Sequence, residues 1–231
     1  MNILVTGSEG FVGKNLVENL KIMQQRKSKT YFSFIEEIFE YDIYTSSSLL
    51  DVFCSKADFV FHLAGTNRPK TNDEFIKGNY DFSKTLLETL KKYSNRCPIM
   101  LSSSIQASLI KQYHNSDYGK SKLLGENLFF NYEKETGAKV FVYRFPNLFG
   151  KWCRPNYNSV IATFCYNVAN NLPIQINDPN TELELLYIDD IIDGMMKLLE
   201  GKANRCNYHG ITPLPSQYGQ YCYIPNTQKV T

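Results

Sequence analysis

The chain has 231 residues, of which 43% are hydrophobic and 21% are charged, a balance typical of one folded globular core and unlike a disordered chain. The 25 basic and 23 acidic side chains leave a formal net charge of +2, which gives no electrostatic basis for a nucleic-acid or membrane-surface partner. Because no apolar run is long enough to span a bilayer, no secretory leader is visible and the six cysteines are scattered, we expect a cytoplasmic protein without a disulfide framework or a metal site.

Strand-like and helix-like segments alternate through the first half of the chain. The predicted strands cover residues 2–6, 38–43, 58–63, 99–102 and 139–144, and the predicted helices cover residues 11–20, 82–93 and 118–134. Residues 58–63 (DFVFHL) form a continuous run of aromatic and β-branched character, which is typical of a strand buried on both faces. Strands that alternate with helices of this length predict an α/β fold, a doubly wound parallel sheet with helices on both faces.

The pattern weakens in the last third of the chain. Two further helices are predicted, over residues 160–168 and 189–200. From Gly201 onward there is little periodicity, and no terminal element is visible. We therefore expect a single domain over 1–231, with a core over about 1–150, a small lobe mostly over 151–231 and a truncated C-terminus.

A glycine-rich turn separates the first predicted strand from the first helix. Gly7, Gly10 and Gly13 give the spacing G-x-x-G-x-x-G, which differs from the commoner G-x-G-x-x-G. Glycines in this position allow a tight turn and let backbone N–H groups approach a pyrophosphate at the N-terminus of the helix. The alternative is a turn that only packs the helix on the sheet, but the position in an alternating α/β chain favours dinucleotide binding.

Tyr118 and Lys122 lie four residues apart at the start of a predicted helix, so they share one face of it. A phenol has a pKa of about 10 in water and is a poor acid or base at neutral pH. A neighbouring ammonium stabilises the phenolate and is expected to lower the pKa of Tyr118 toward the working range. By itself this spacing also occurs by chance on solvated helix faces.

Three serines, residues 102–104, end a predicted strand. In a doubly wound sheet the carboxyl ends of the strands form the edge at which ligands bind, and a hydroxyl there can polarise a carbonyl group. A polar strand end that caps the next element is the alternative interpretation. Because the three motifs occur in order on consecutive strand–helix units, an enzyme site is the better explanation of all three.

Together these motifs resemble the extended short-chain dehydrogenase/reductase family, which also carries His-Leu-Ala-Gly after a strand and Arg-Phe-Pro-Asn, here at residues 62–65 and 144–147. The resemblance implies a Rossmann-like sheet with a small C-terminal substrate lobe. It implies that Tyr118 donates or accepts the proton, that Lys122 lowers its pKa and that Ser104 orients the substrate carbonyl. The cofactor-binding residues implied are Gly7, Gly10, Phe11, Val12, Gly13, Asp42, Ile43, Leu63, Ala64, Gly65, Tyr118 and Lys122.

A narrower resemblance, in residues 64–69, 101–107 and 143–166, is to the reductase domain of CapF-type capsular polysaccharide enzymes. It implies reduction of the 4-keto group of a UDP-2-acetamido-2,6-dideoxyhexos-4-ulose by NADPH. The substrate-binding residues that we expect are Arg68, Ser103, Ser104, Asn147, Arg154 and Asn158. Members of that family carry a C-terminal cupin domain that nothing in this sequence resembles. We also expect a homodimer or a higher homo-oligomer.

The choice of cofactor has two candidates. An acid at the end of the second strand, Asp42, favours NADH or NAD because it accepts a hydrogen bond from the ribose 2′-hydroxyl. Arg26, Lys27 and Lys29 provide positive charge for the 2′-phosphate of NADPH, and the CapF-type resemblance also implies NADPH. The prediction is therefore NADPH, with NADH or NAD as the alternative.

Two other functions compete with a reductase. One is a UDP-sugar 4-epimerase or dehydratase that holds NAD tightly, although Ile105 and Gln106 do not supply the added acid that dehydratases need beside the serine. The other is a non-catalytic nucleotide-binding fragment, which the presence of Ser104, Tyr118 and Lys122 disfavours.

Overall fold

The computed structural model describes residues 1–25, 35–66, 75, 77–157, 159–176, 178–202, 222–223 and 227–230. Its strands are β1 (Asn2–Thr6), β2 (Glu37–Tyr41), β3 (Phe59–His62), β4 (Ile99–Ser104), β5 (Val140–Phe145), β6 (Asn147–Phe149), β7 (Leu183–Tyr187), β8 (Cys222–Tyr223) and β9 (Gln228–Val230). Its α-helices are α1 (Phe11–Gln25), α2 (Ser47–Lys56), α3 (Phe82–Lys92), α4 (Asp117–Thr136), α5 (Val160–Ala169) and α6 (Ile188–Leu199). A π-helical turn, Lys77–Asp81, precedes α3, and two 3₁₀ turns, Ile105–Ser108 and Lys111–Tyr113, connect β4 to α4.

Six strands form a parallel sheet in the order β2-β1-β3-β4-β5-β8. The order reverses at β1, because β2 pairs with one edge of β1 and β3 with the other. In open α/β sheets the crevice outside the carboxyl ends of the strands at such a reversal is the usual ligand site. The glycine-rich turn follows β1 directly, so the sequence motif lies at this crevice.

Helices cover both faces of the sheet, as the alternating pattern predicts. On one face Ile3 and Val5 of β1 pack with α1 and with α6, and on the other face Leu4 packs with α2, α3 and α4. Alternate residues of a strand point to opposite faces, so a central strand must be apolar throughout. The predicted α/β class with a doubly wound parallel sheet is confirmed.

A second, smaller sheet has the order β6-β7-β9, with β7 parallel to β6 and antiparallel to β9. The helix that follows β7, α6, packs on the main sheet beside α1. Residues 188–199 therefore belong to the core layer although they follow residue 150. The division of the domain at about residue 150 stays a prediction.

Several predicted boundaries differ from the structure. The second strand ends at Tyr41, and Ile43 lies in a turn closed by the hydrogen bond from the Thr45 N–H to the Asp42 carbonyl. The expectation of no terminal element is wrong, because residues 228–230 pair with β7. All three residues of β9 are exposed, so the strand lacks the alternation of buried and exposed residues by which a strand is predicted from sequence. Within the described ranges no helix has both the length and the apolar character needed to cross a bilayer.

Candidate active site

A cleft of about 1190 Å³ opens at the carboxyl edge of the sheet. Nearly all of the predicted site residues line it: Gly7, Gly10, Phe11, Val12, Gly13, Asp42, Ile43, Leu63, Ala64, Gly65, Ser103, Ser104, Tyr118, Lys122, Asn147 and Arg154. Two predicted substrate-binding residues, Arg68 and Asn158, lie outside the described residues. The topology thus brings together motifs that are up to 147 residues apart, since both Gly7 and Arg154 belong to one cleft.

The glycine-rich turn is packed so closely that side chains would not fit. Gly7 has φ +72°, and a Cβ on it would lie 2.7 Å from the backbone nitrogen of Ala64. A Cβ on Gly13 would lie 2.0 Å from the carbonyl oxygen of Gly7. These contacts press the start of α1 against the turn and leave backbone at the cleft wall, which is the cradle that a pyrophosphate requires. The residues present therefore fit a dinucleotide cofactor.

Asp42 lies at the cleft wall directly after β2. Its carboxylate accepts hydrogen bonds from the backbone N–H of Glu9 at 2.9 Å and from its own neighbour Ile43 at 2.7 Å. The carboxylate is thereby fixed beside the glycine-rich turn. Ile43 and Tyr44 are 84% and 94% exposed and line the same end of the cleft, which gives an apolar wall for an adenine ring.

Ser104, Tyr118 and Lys122 meet farther along the cleft. Tyr118 and Lys122 lie in the first turns of α4, a helix that begins where the Ser116 hydroxyl accepts a hydrogen bond from the Gly119 N–H. The Lys122 Nζ lies 5.8 Å from the centre of the Tyr118 ring and donates to the Ser102 carbonyl at 3.1 Å. The Ser104 hydroxyl lies beside the Tyr118 phenol, close enough to act on its pKa.

Burial controls the acidity of this group. It raises the pKa of Tyr118 to about 12, against an opposing effect of the hydrogen bond from Ser104. It also lowers the pKa of Lys122 to about 8, while the carboxylate of Glu126 opposes that change. Loss of solvation is the larger effect on this phenol, so the lowering of the Tyr118 pKa by Lys122, whose Nζ lies 5.8 Å from the ring centre, stays a prediction. Tyr118 is a protonated phenol at neutral pH.

The sequence interpretation missed a buried ion pair beneath these residues. Arg144 donates from Nε and Nη2 to the two carboxylate oxygens of Glu126, at 2.8 and 2.6 Å, and both side chains are 1% exposed. Ser103 also donates its hydroxyl to Glu126. Two features of the sequence indicate such a pair. Glu126 follows Lys122 by one helical turn, and Arg144 is a charged residue in an otherwise apolar strand.

Gln106 is a second residue that the sequence interpretation left without a role in binding. It lines the cleft next to Ser104, and its backbone N–H donates to the Ser104 hydroxyl at 3.2 Å. Its side-chain carbonyl accepts a hydrogen bond from the Ser116 hydroxyl at 2.7 Å. This contact fixes the amide, and the position carries no ionisable group.

Asn147 and Arg154 form the far wall of the cleft. The Asn147 amide donates to the Glu184 carbonyl of β7 at 3.2 Å, so the smaller sheet positions it. The loop before Arg154 is tied to α1, because the buried Asn15 amide donates to the Lys151 carbonyl at 2.9 Å. Arg154 is exposed at the cleft, and the planar geometry of a guanidinium suits a phosphate.

Comparison with known proteins agrees with this geometry. The family described as "NAD dependent epimerase/dehydratase family" matches residues 3–209. The chain is 39% identical over 204 residues to the UDP-2-acetamido-2,6-beta-L-arabino-hexul-4-ose reductase of Pseudomonas aeruginosa, a match that covers 88% of this chain and 51% of that protein. It is 25% identical over 236 residues to UDP-glucuronic acid decarboxylase 5 of Arabidopsis thaliana, which covers 87% of this chain and 67% of that protein.

Among solved structures, the capsular polysaccharide assembling protein CapF from Staphylococcus aureus superposes with a TM-score of 0.77 at 43% identity, covering 100% of this chain and 55% of that one. The UDP-glucuronic acid 4-epimerase from Bacillus cereus, in complex with NAD, superposes with a TM-score of 0.76 at 20% identity, covering 100% of this chain and 80% of that one, which shows a shared fold. The chain spans about half the length of the reductase and of CapF.

The expected membership is thus confirmed at two levels, by a match over most of the chain and by relatives at about 40% identity. The family match and the similar proteins both agree with the fold, the glycine-rich cradle and the Ser-Tyr-Lys cluster. This chain belongs to the NAD dependent epimerase/dehydratase family, whose members bind NAD or NADP.

Proposed function

We propose that the chain is a nucleotide-sugar reductase, which reduces the 4-keto group of a UDP-2-acetamido-2,6-dideoxyhexos-4-ulose with a reduced nicotinamide cofactor. The observation that supports this most directly is that one cleft holds both the glycine-rich cradle and the cluster of Ser104, Tyr118 and Lys122. The similarity to the Pseudomonas aeruginosa reductase supports the choice of substrate.

In the proposed reaction each residue of the cluster has a separate role at the substrate carbonyl. The nicotinamide, when bound, supplies a hydride. Ser104 hydrogen-bonds the carbonyl oxygen and polarises it, and Tyr118 delivers the proton to that oxygen. Because burial raises the pKa of Tyr118 to about 12, the phenol still carries its proton at neutral pH, as a donor must. Lys122 lies close enough to stabilise the phenolate that proton transfer leaves behind.

The two ends of the cleft suggest which parts of the ligands each would hold. Gly7, Gly10 and Gly13 would hold the cofactor pyrophosphate at the start of α1. Asn147 and Arg154, on the opposite wall, would hold the nucleotide diphosphate of the sugar, since an arginine matches phosphate geometry with two parallel hydrogen bonds. Ser103, Arg68 and Asn158 complete the proposed substrate-binding set.

NADPH is the proposed cofactor on the resemblance to CapF-type reductases. NADH is the second candidate, because the Asp42 carboxylate is fixed at the cleft wall where an adenine ribose would lie. A carboxylate there accepts a ribose 2′-hydroxyl and repels a 2′-phosphate. Arg26, Lys27 and Lys29, the cations expected to hold a 2′-phosphate, lie outside the described residues.

An epimerase or dehydratase with tightly held NAD is the rival enzyme. Gln106 argues against a dehydratase, because the cleft position next to Ser104 has an amide and no acid. A protein that binds nucleotide without turnover is the rival from outside enzymes. We further propose that the chain forms a homodimer or a larger homo-oligomer, which light scattering during gel filtration would measure.

The test is the absorbance of the reduced nicotinamide when the protein is mixed with NADPH or NADH and a UDP-4-keto-6-deoxy-HexNAc. We expect loss of absorbance with one cofactor, and we expect Tyr118→Phe to slow it by about 10²-fold or more, since positioned proton transfer contributes about 10²–10⁴-fold. Tyr93→Phe, outside the cleft at the C-terminal end of α3, is the matched control and should keep the wild-type rate. Absorbance that stays constant while cofactor fluorescence reports binding would contradict a reductase.

A further inference from the structure

Lys122 is a buried basic residue at the cleft. Its side chain is 8% exposed, and in the described ranges the Ser102 carbonyl is the hydrogen-bond acceptor of its Nζ. A buried ammonium loses hydration and tends to shed its proton unless a negative charge lies close. In the proposed reaction an uncharged Lys122 would be of no help to the Tyr118 phenolate.

The groups that face Lys122 from the surrounding elements are mostly neutral. On α4 itself Tyr118 stays protonated, and on β3 the ring of His62, whose pKa burial lowers to about 3, stays uncharged. The π-helical turn contributes the Asn79 amide, which lies with the Lys122 Nζ around Gly65, and β4 contributes the Ser102 carbonyl and the uncharged serine side chains of its carboxyl end. Arg144 on β5 is positive. Among these groups Glu126, one turn after Lys122 on the same helix face, is the one that carries a negative charge.

The Glu126 carboxylate is held rigidly. Arg144 donates to both of its oxygens and the Ser103 hydroxyl donates to one of them, so the orientation of the carboxylate is fixed. The side chains of Arg144 and Glu126 are each 1% exposed, so little solvent screens the effect of the Glu126 charge on Lys122.

We propose that Glu126 is a positioning residue that acts through Lys122: its carboxylate, clamped by Arg144, is the buried counter-charge that keeps the Lys122 side chain an ammonium at neutral pH. The use of that charge in proton transfer rests on the proposed function. The charge state of Lys122 does not depend on the proposed function, so it is tested on the protein without cofactor or substrate.

The experiment is an NMR titration of the full chain labelled with ¹³C at lysine Cε, with the Lys122 signal assigned by its loss in Lys122→Met. In the unsubstituted protein Lys122 should titrate near pH 8, below the solvent-exposed lysines. Glu126→Gln keeps the shape and the hydrogen-bond acceptor but removes the charge, and it should lower the pKa of Lys122 by about one unit or more. Glu88→Gln, which loses an exposed carboxylate paired with Lys84, should leave Lys122 unchanged.

Glu126→Gln leaves Arg144 buried without a charged partner, which destabilises folded proteins. If that variant does not fold, Glu126→Asp keeps the charge while withdrawing it by one methylene, and a smaller downward shift of the pKa of Lys122 is expected. An unchanged pKa of Lys122 in whichever variant folds would overturn the proposal.

A second measurement, the pH profile of kcat, separates positioning from simple damage. If Lys122 must be charged, activity falls as pH rises through its pKa, so Glu126→Gln should move this alkaline limb to lower pH and recover activity in more acidic buffer. A structural defect would lower kcat equally at every pH. Without reductase activity in the unsubstituted protein the proposed function fails, while the NMR titration still decides the role of Glu126.

Discussion

Ser103 and Glu126 are joined by a buried hydrogen bond in which the serine hydroxyl is the donor. The hydroxyl of the next residue, Ser104, accepts a hydrogen bond from the Gln106 N–H and lines the cleft beside Tyr118. Successive side chains of β4 point to opposite sides, so two adjacent serines that the sequence cannot distinguish have different partners. The Ser103 hydroxyl is committed to the ion pair, whereas the Ser104 hydroxyl lies at the cleft wall, where a ligand can reach it.

The two serines should therefore respond differently to substitution by alanine. Ser104→Ala should lower kcat by about 10²–10³-fold, the usual cost of removing a hydrogen-bond donor to a reacting carbonyl oxygen. Ser103→Ala should leave kcat within about tenfold and lower the free energy of unfolding by about 1 kcal/mol, because Glu126 loses one donor but keeps Arg144. Steady-state rates and urea unfolding of both variants measure this, and the reverse ranking of kcat would contradict it.

Asp42 should set the preference between the two reduced cofactors. Asp42→Asn removes the negative charge but keeps an acceptor for the Glu9 N–H. We expect the ratio of the Kd for NADPH to the Kd for NADH to fall by about tenfold, since one charge near a 2′-phosphate is worth about 1–4 kcal/mol. Fluorescence titration with each cofactor measures the ratio. Asp190→Asn, an exposed acid on α6 outside the cleft, is the control, and equal ratios in all three proteins would refute the assignment.

The cradle should not tolerate a methyl group at Gly13. A Cβ there would lie 2.0 Å from the Gly7 carbonyl oxygen, so Gly13→Ala must displace α1 from the turn. We expect cofactor affinity to fall by at least about tenfold and stability by about 1–3 kcal/mol, the usual cost of overpacking.

Gly125→Ala is the matched control, because it also adds one methyl group to a helix. Its Cβ would lie 3.5 Å from the Asn79 carbonyl, an ordinary contact, and alanine has a higher helix propensity by about 1 kcal/mol. Thermal unfolding should show a Tm equal to or above that of the unsubstituted chain, with cofactor affinity retained. Similar losses in Gly13→Ala and Gly125→Ala would show that the close approach to Gly7 is not the cause.

His62 should make folding stability depend on pH. Its ring is fully buried between Thr6 Oγ1 and Ser83 Oγ, at 2.7 and 2.8 Å, and desolvation lowers its pKa to about 3. In the unfolded chain the ring takes up a proton below about pH 6.5, and in the folded chain it does not. The unfolded state therefore binds more protons between these values, so stability is full above pH 6.5 and is lost as pH falls, by about 2 kcal/mol from pH 7 to pH 5.

Urea unfolding at pH 7 and at pH 5 measures this effect. His62→Gln removes the titrating ring and should lose that part of the dependence, whereas His114→Gln, on the connection between β4 and α4, should keep it. Equal free energies of unfolding at the two pH values in the unsubstituted protein would contradict a neutral His62 in the folded state.

Local sequence rules located most of the fold and of the cleft. The apolar strand Phe59–His62, the glycine spacing after β1 and the Tyr118–Lys122 interval each depend on residues within a few positions of one another. Such features are set by backbone geometry and period, which a sequence displays directly. The strand β9 is different, because its three exposed residues are held as a strand by pairing with β7 about 45 residues earlier.

By itself the sequence determined the α/β class, the order of the motifs and the chemical groups available at the strand ends, because these follow from local periodicity and residue type. The tertiary structure alone decided which serine faces Tyr118, that burial raises rather than lowers the pKa of this phenol, and that Glu126 meets Arg144. These depend on burial and on contacts between residues distant in the chain. Desolvation and charge pairing act through space, and a sequence does not record distances.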